Sequence, residues 1–276
     1  QREVLADACP PRLGVEAHGI TWAQQRAWDS DWFPTSELVP TQGLVERLRR
    51  SKDPGEVARI SAACGIGDDA LAAVVHLIGE GVTERELAFE LELAMRRLGA
   101  EAMSFDPIVA AGPNGAKPHA RPSDRVVAEG DLVVLDFGCI VDGYCSDMTR
   151  TLGVGELADD LRHMYDVVLE SQAAGREAVR AGATCAEVDL ACRSIIESAG
   201  WGDAFMHGTG HGVGLEIHED PRVAQTGGDT LLLGDVVTVE PGVYLPGLGG
   251  VRIEDTLFVT ADGSEPLTST PKGLTL

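Results

Sequence analysis

The sequence predicts an α+β fold of two pseudo-symmetric halves, and three observations carry that prediction. The run Gly130-Asp-Leu-Val-Val-Leu-Asp136-Phe-Gly138 aligns without gaps with Gly234-Asp-Val-Val-Thr-Val-Glu240-Pro-Gly242, residues 136 and 240 being 104 apart. Thr83-Glu84-Arg85-Glu86 and Thr184-Cys185-Ala186-Glu187, 101 residues apart, both have the T-x-x-E form of a capping box. Each half then reads helix, helix and an antiparallel strand pair carrying an acid, so two sheets are expected to line a shared cleft with helices outside.

Taken in order, residues 1–52 differ from the rest. Trp22, Trp28 and Trp32 cluster among Pro34, Pro40 and polar breaks, as in the end of a preceding domain. From Asp53-Pro54 the apolar spacing turns helical, with Pro at the first helical position and Val57, Ile60, Cys64, Leu71, Val74, Val75 and Ile78 at three and four spacing. Gly65 and Gly67 are expected to bend this helix. The two capping boxes open helices to about Leu98 and Ala199, and a longer helix runs from about Asp159 to Ala181. Strands fit Ile108–Ala111, Leu132–Cys139, Tyr144–Leu152, Val236–Val239 and Val251–Thr260, stretches mostly rich in Val, Leu or Ile and edged by Gly.

Composition narrows the function classes. With 276 residues a sizeable core is feasible. Lys plus Arg is 22 against 44 Asp plus Glu, a net charge of −22 that repels nucleic-acid phosphates and anionic lipid, so neither partner is expected. Apolar runs such as Ala70–Val75 are too short to span a bilayer. The cysteines Cys9, Cys64, Cys139, Cys145, Cys185 and Cys192 lack C-x-x-C spacing, which points to reduced thiols and a cytoplasmic location. An opening at Gln1 without Met reads as a truncated start.

The acids sit where acids are costly. Asp136 lies in an apolar strand, so a cation is expected beside it. If residues 140–143 form a four-residue loop, Asp147 stands opposite Asp136, an arrangement that needs a metal or a shared proton. The plainer alternative has one of the two acids paired with Arg150. The second half supplies Glu240, and Glu254 on the strand Gly250-Val-Arg-Ile-Glu254-Asp. His207, His211 and His218 lie among four glycines, the composition of a loop whose backbone approaches a ligand. Carboxylates with one imidazole suit Mn, Fe, Co or Zn.

On these motifs the sequence resembles the pita-bread metallopeptidases, which include methionine aminopeptidase, aminopeptidase P and prolidase, over about residues 53–276. The resemblance implies the pita-bread, creatinase/aminopeptidase-like fold. It implies five metal ligands, Asp136, Asp147, His211, Glu240 and Glu254, holding two divalent ions, with manganese the leading choice and cobalt, zinc or iron the others. Asp136 would hold one ion, His211 and Glu240 the other, and Asp147 and Glu254 would bridge them, the pair activating a shared water. Glu240 would shuttle the proton, His218 would contact the scissile peptide and His207 the leaving side. His119 and Tyr244 would face substrate, and Arg252 and Thr149 would support the ligands.

The stretches His211-Gly-Val-Gly-Leu-Glu-Ile-His218-Glu, Val239-Glu-Pro-Gly-Val-Tyr244 and Gly249-Gly-Val-Arg-Ile-Glu-Asp255 are similar to the proline-specific branch. The expected activity is exopeptidase cleavage of Xaa-Pro bonds in small peptides with proline second, as a dipeptidase or an aminopeptidase. Arg222 matches an Arg placed to bind a substrate carboxylate, a loop salt bridge with Glu219 or Asp220 being its other reading. Residues 1–52 resemble the remnant and linker helix of the N-terminal domain that forms a homodimer in full-length relatives, and residues 53–276 the catalytic domain. Methionine-aminopeptidase-like activity and a non-catalytic binding module of the same fold are the alternatives, and five filled ligand positions weigh against the second.

Overall fold

A computed structural model describes residues 9–79 and 81–274. The chain divides into two compact units between Leu48 and Arg49. Of the stretch expected to close an N-terminal domain, residues 1–8 lie outside the described residues.

In the first unit, strands β1 (Arg12–Glu16) and β2 (Glu37–Thr41) pair in parallel. Between them Thr21 caps helix α1 (Trp22–Ala27), and Trp28 meets Phe33 edge to face at 6.2 Å. Helix α2 (Leu44–Arg50) follows β2 in the chain.

The larger unit is two copies of one plan. In the first, α3 (Pro54–Val74) and α4 (Glu84–Arg97) cover the sheet β4 (Ile108–Ala111), β5 (Leu132–Phe137) and β8 (Met148–Gly153). The short strands β3 (Ala102–Met103), β6 (Cys139–Val141) and β7 (Tyr144–Cys145) form a second, smaller sheet. In the second copy, α5 (Asp159–Ala178) and α6 (Cys185–Ser198) cover β9 (Gly210–Gly212), β10 (Glu219–Val223), β11 (Val236–Val239), β14 (Asp255–Val259) and β15 (Ser264–Pro266). Strands β12 (Gly242–Leu245) and β13 (Gly249–Arg252) make a hairpin.

The repeat extends to details. Both capping boxes form, and isolated bridges join Thr83 to Val126 and Thr184 to Thr230. Asp131 and Asp235, equivalent in the two halves, each accept an amide three residues back, from Ala128 and Leu232, and each pairs with an arginine, Arg125 and Arg50. Each half also has its own core. Leu71, Leu87, Leu91, Met95, Val133 and Leu135 are wholly buried in the first, and Met164, Val188, Ile196, Val237, Val251 and Leu257 in the second. At about 1.5–3 kcal/mol for each large apolar side chain removed from water, these cores hold the two sheets in place.

Helix α3 is continuous through Gly65 and Gly67, where a bend was expected; Gly67 faces the Phe137 ring. With the turn that follows, it is long and apolar enough to cross a membrane by length and composition alone. Its face Ile60, Ala63, Cys64, Gly67, Ala70, Leu71 and Val74 is packed into the core.

The register of β5 on β8 differs from the sequence expectation. Asp136 faces Thr149, and Met148 faces Phe137. The connection is a two-residue turn rather than a four-residue loop, with Val141 opposite Tyr144 and positive φ at both Asp142 (46°) and Gly143 (81°). Those angles suit a type I′ hairpin, which Asp-Gly favours because both residues tolerate the left-handed region. Moving the register by two residues takes Asp147 away from the position opposite Asp136 and separates two like charges along the strand.

Candidate metal centre

Two strand systems bring the acids together. Glu254 follows β13, and its amide donates to the Thr149 carbonyl at 3.1 Å, while the Thr256 hydroxyl donates to the Asp147 carbonyl at 2.8 Å. The second half's strand thus lies along β8 of the first. Asp147, His211 and Glu254 each offer one ligand atom, and these atoms lie within 4.8 Å of one another. Glu240 joins through the imidazole: His211 Nε2 is 3.4 Å from Glu240 Oε1 and 3.5 Å from Asp147 Oδ2.

The orientation of His211 follows from its other nitrogen. Nδ1 lies 2.9 Å from the Gly212 carbonyl, which can only accept, so Nδ1 carries the proton and Nε2 presents a lone pair to the acids. The glycines beside it serve strand packing rather than ligand approach. A Cβ on Gly210 would overlap the Thr238 carbonyl, and one on Gly212 the Asp220 carbonyl, because β9 lies tight between its neighbours.

Burial and mutual repulsion act on the acids. Burial, with the fields of Asp136 and Glu240 behind it, pushes Asp147 well above the usual carboxylate range. Burial likewise raises Glu254, helped by Asp147, Glu240 and Asp136. Glu240 is also raised by burial, against the opposing pull of His211 and Arg252. Arg252 is the cation beside Asp136, ion-paired to it, and its Nε donates to Thr149 Oγ1 at 3.2 Å. Arg150, the alternative partner for these acids, is committed elsewhere: it pairs with Asp255 at 3.0 Å and donates to the Thr270 and Glu254 carbonyls.

The donor set fits divalent cations. Of the four carboxylates only Asp136 is ion-paired to the Arg252 guanidinium among the described residues, and Glu254 Oε1 is buried with no hydrogen-bond partner among them while Oε2 accepts from Thr149 at 2.8 Å. A buried carboxylate oxygen without a donor is costly unless a cation takes the place of the donor. Oxygens with one neutral imidazole are the ligands such ions select.

Around this group stand the other residues singled out by sequence. His207 Nδ1 donates to the Gly208 carbonyl at 2.7 Å, so its Nε2 accepts from Tyr244 Oη at 2.8 Å. Tyr244 in turn accepts from Arg252 Nη1 at 2.7 Å. Burial, with Arg252, His119 and Arg193 adding to it against the bond to Gly208, lowers His207 to about 4. Burial pushes Tyr244 up to about 12. His218 keeps one side open to solvent and packs its ring edge to face with His211 at 4.3 Å, and desolvation of the covered side, with His211, lowers its pKa. His119 is exposed and follows Pro118, whose carbonyl accepts from Arg252 Nη1 at 3.2 Å. Arg222 is exposed and, among the described residues, has no ion-pair partner. Glu219 is taken by Arg49 and Lys52, each at 2.6 Å, so the loop salt bridge to Glu219 considered for Arg222 does not form.

Sequence reasoning missed the buried groups that hold these parts. Asp189 accepts from the Thr209 amide and hydroxyl at 3.1 and 3.0 Å and pairs with Arg193, which donates to the Phe205 and His207 carbonyls at 2.9 Å each. The i,i+4 spacing of Asp189 and Arg193 was the available signal. Glu84, inside the first capping box, had no signal of its own.

A model of metallopeptidase family M24 matches residues 58–261. The Xaa-Pro dipeptidase of Pyrococcus furiosus is 46% identical over 238 residues, 86% of this chain and 68% of that protein. Among solved structures, the Xaa-Pro dipeptidase from Bacillus anthracis superposes with a TM-score of 0.96 at 43% identity, over 99% of this chain and 77% of that one. The X-Pro aminopeptidase from Thermotoga maritima gives 0.93 at 36% identity, again over 99% and 77%.

Proposed function

Because this chain belongs to metallopeptidase family M24, we propose that it is a dinuclear metal-dependent exopeptidase that hydrolyses Xaa-Pro peptide bonds. The observation that carries the reading is the meeting of Asp147, His211 and Glu254, with Glu240 beside them and Glu254 Oε1 lacking any donor among the described residues. The names of the relatives at 46% and 43% identity supply the proline specificity. A dedicated peptidase makes chemical sense for proline, whose tertiary amide lacks an N–H and restricts the residue before it.

We assign Asp136, Asp147, His211, Glu240 and Glu254 as the residues that would hold two divalent ions, with manganese as the ion. Bound there, such ions supply Lewis acidity that polarises a carbonyl and lowers the pKa of water. The protein's own groups do the rest. Glu240, its pKa raised by burial, takes a proton from the attacking water and returns it to the proline nitrogen as the C–N bond breaks. His218, exposed beside His211, contacts the carbonyl under attack. Neutral His207, held on Tyr244, faces the leaving side. Arg252 anchors Asp136 and Tyr244 together and fixes both.

Arg222 favours the dipeptidase form. An exposed guanidinium with no acidic partner among the described residues is suited to the free carboxylate of a dipeptide's proline. Six free cysteines, five of them buried, support a cytoplasmic setting.

The test is product formation by the full chain, stripped of metal and reloaded with Mn²⁺, on Ala-Pro, Ala-Pro-Ala and Met-Ala-Ser. Cleavage of Ala-Pro alone is expected. A preference for Ala-Pro-Ala would move the reading to an aminopeptidase, and cleavage of Met-Ala-Ser alone would overturn the proline specificity.

A further inference from the structure

Glu84 is the first residue of α4 and is wholly buried, a costly position for a carboxylate unless its oxygens are bonded. Its acceptor bonds go to the two ends of a single loop. Oε1 accepts from the Ala111 amide at 2.8 Å and Asn114 Nδ2 at 3.0 Å, at the leading end. Oε2 accepts from the amide and the hydroxyl of Ser123, at 3.0 and 2.6 Å, at the trailing end, and shares Asn114 Nδ2 with Oε1 at 3.2 Å. The helix start adds two bonds, the amides of Glu84 and Arg85 donating to the carbonyls of Arg125 and Ser123 at 3.0 and 3.1 Å.

The loop that these bonds span, 112–122, carries His119. Beside His119, the Pro118 carbonyl accepts from Arg252 Nη1 at 3.2 Å. The loop is therefore held at both ends by one carboxylate and at its middle by the guanidinium that serves Asp136.

We propose that Glu84 is a positioning residue that acts through His119: by gripping both ends of the loop it sets where that imidazole stands over the cleft. The proposal rests on the reading of His119 as a substrate contact. Glu84 itself bonds none of the candidate ligands. The charge is essential to the grip, because every partner of its oxygens is a donor. A glutamine would turn an NH₂ toward either the Ala111 and Asn114 donors or the Ser123 amide and release one end.

The test is a double-mutant cycle on the Mn²⁺-loaded full chain, reading kcat and KM for Ala-Pro in Glu84→Gln, His119→Ala and the pair. Glu84→Gln is expected to raise KM about tenfold with kcat held within about twofold, and to have no further effect once His119 is alanine. Mn²⁺ affinity by calorimetry is expected to stay unchanged. An equal rise in both backgrounds, or none in either, overturns the proposal. Should Glu84→Gln fail to fold, Ser123→Ala, which removes one Oε2 bond, carries the same cycle. A wild-type chain inactive on Ala-Pro and Ala-Pro-Ala overturns the peptidase reading alone. Hydrogen exchange then decides: faster exchange confined to 112–122 in the variant supports the clamp, and unchanged exchange there overturns it.

Discussion

The Thr149 hydroxyl donates to Glu254 Oε2 at 2.8 Å, so a residue of the first half's strand orients an acid of the second and leaves Oε1 without a donor among the described residues. Thr149 also faces Asp136 across the β5–β8 ladder and accepts from Arg252 Nε. One hydroxyl thereby ties together both halves of the candidate centre.

Removing it should loosen the centre without unfolding it. Thr149→Val keeps the volume and deletes the donor, and it is expected to weaken Mn²⁺ binding about 10- to 100-fold. Titration calorimetry measures this directly. An unchanged Kd would mean that the bond does not orient Glu254.

The metal-free protein should lose stability as pH rises. Asp147 and Glu254 have folded-state pKa values pushed above those of the unfolded chain, so the unfolded state ionises first and is favoured from about pH 4 upward, through the raised values. Chelated protein is expected to show a Tm that falls as pH rises above about 4, and added Mn²⁺ should restore it by binding only the folded form. A Tm indifferent to Mn²⁺ at pH 7 would contradict the ligand assignment.

His207 works in the opposite direction. Its folded pKa of about 4 lies below the ordinary histidine value, so the unfolded state takes up the proton first as pH drops. Stability from this group is complete above about pH 6.5 and is lost on going down toward 4, by at most about 3 kcal/mol. Urea titrations of wild type and His207→Asn should diverge over that window. Parallel curves would show that His207 is not held neutral.

The acids and Arg222 separate chemistry from recognition. Asp147→Ala or Glu240→Ala should cut kcat/KM on Ala-Pro at least about 1,000-fold. Arg222→Ala should instead raise KM for Ala-Pro about tenfold, with little change for the carboxyl-amidated peptide, as one lost charge-assisted bond requires. Equal losses on both peptides would remove Arg222 from carboxylate binding.

Much of the plan was legible along the chain because its causes are local. The capping boxes at Thr83 and Thr184 are three-residue interactions, and both form as written. Asp136 inside an apolar strand called for a cation, and Arg252 is there, although nothing in the spacing of residues 116 positions apart could name it. The β5–β8 register was misread because it turned on whether Asp142 would accept a positive φ, which shortened the loop from four residues to two.

By itself, then, the sequence determined the two halves, their helix starts, their buried strands and the acids embedded in them, since propensity, capping and alternation act over a few residues. Tertiary structure decided which groups meet: Thr149 with Glu254, Arg252 with Asp136, Arg150 with Asp255, and Glu84 with both ends of the His119 loop. Those pairings join residues far apart in the chain. They are selected by desolvation, because once the cores close, a buried charge must find whichever donor or counter-charge the packing has brought within reach.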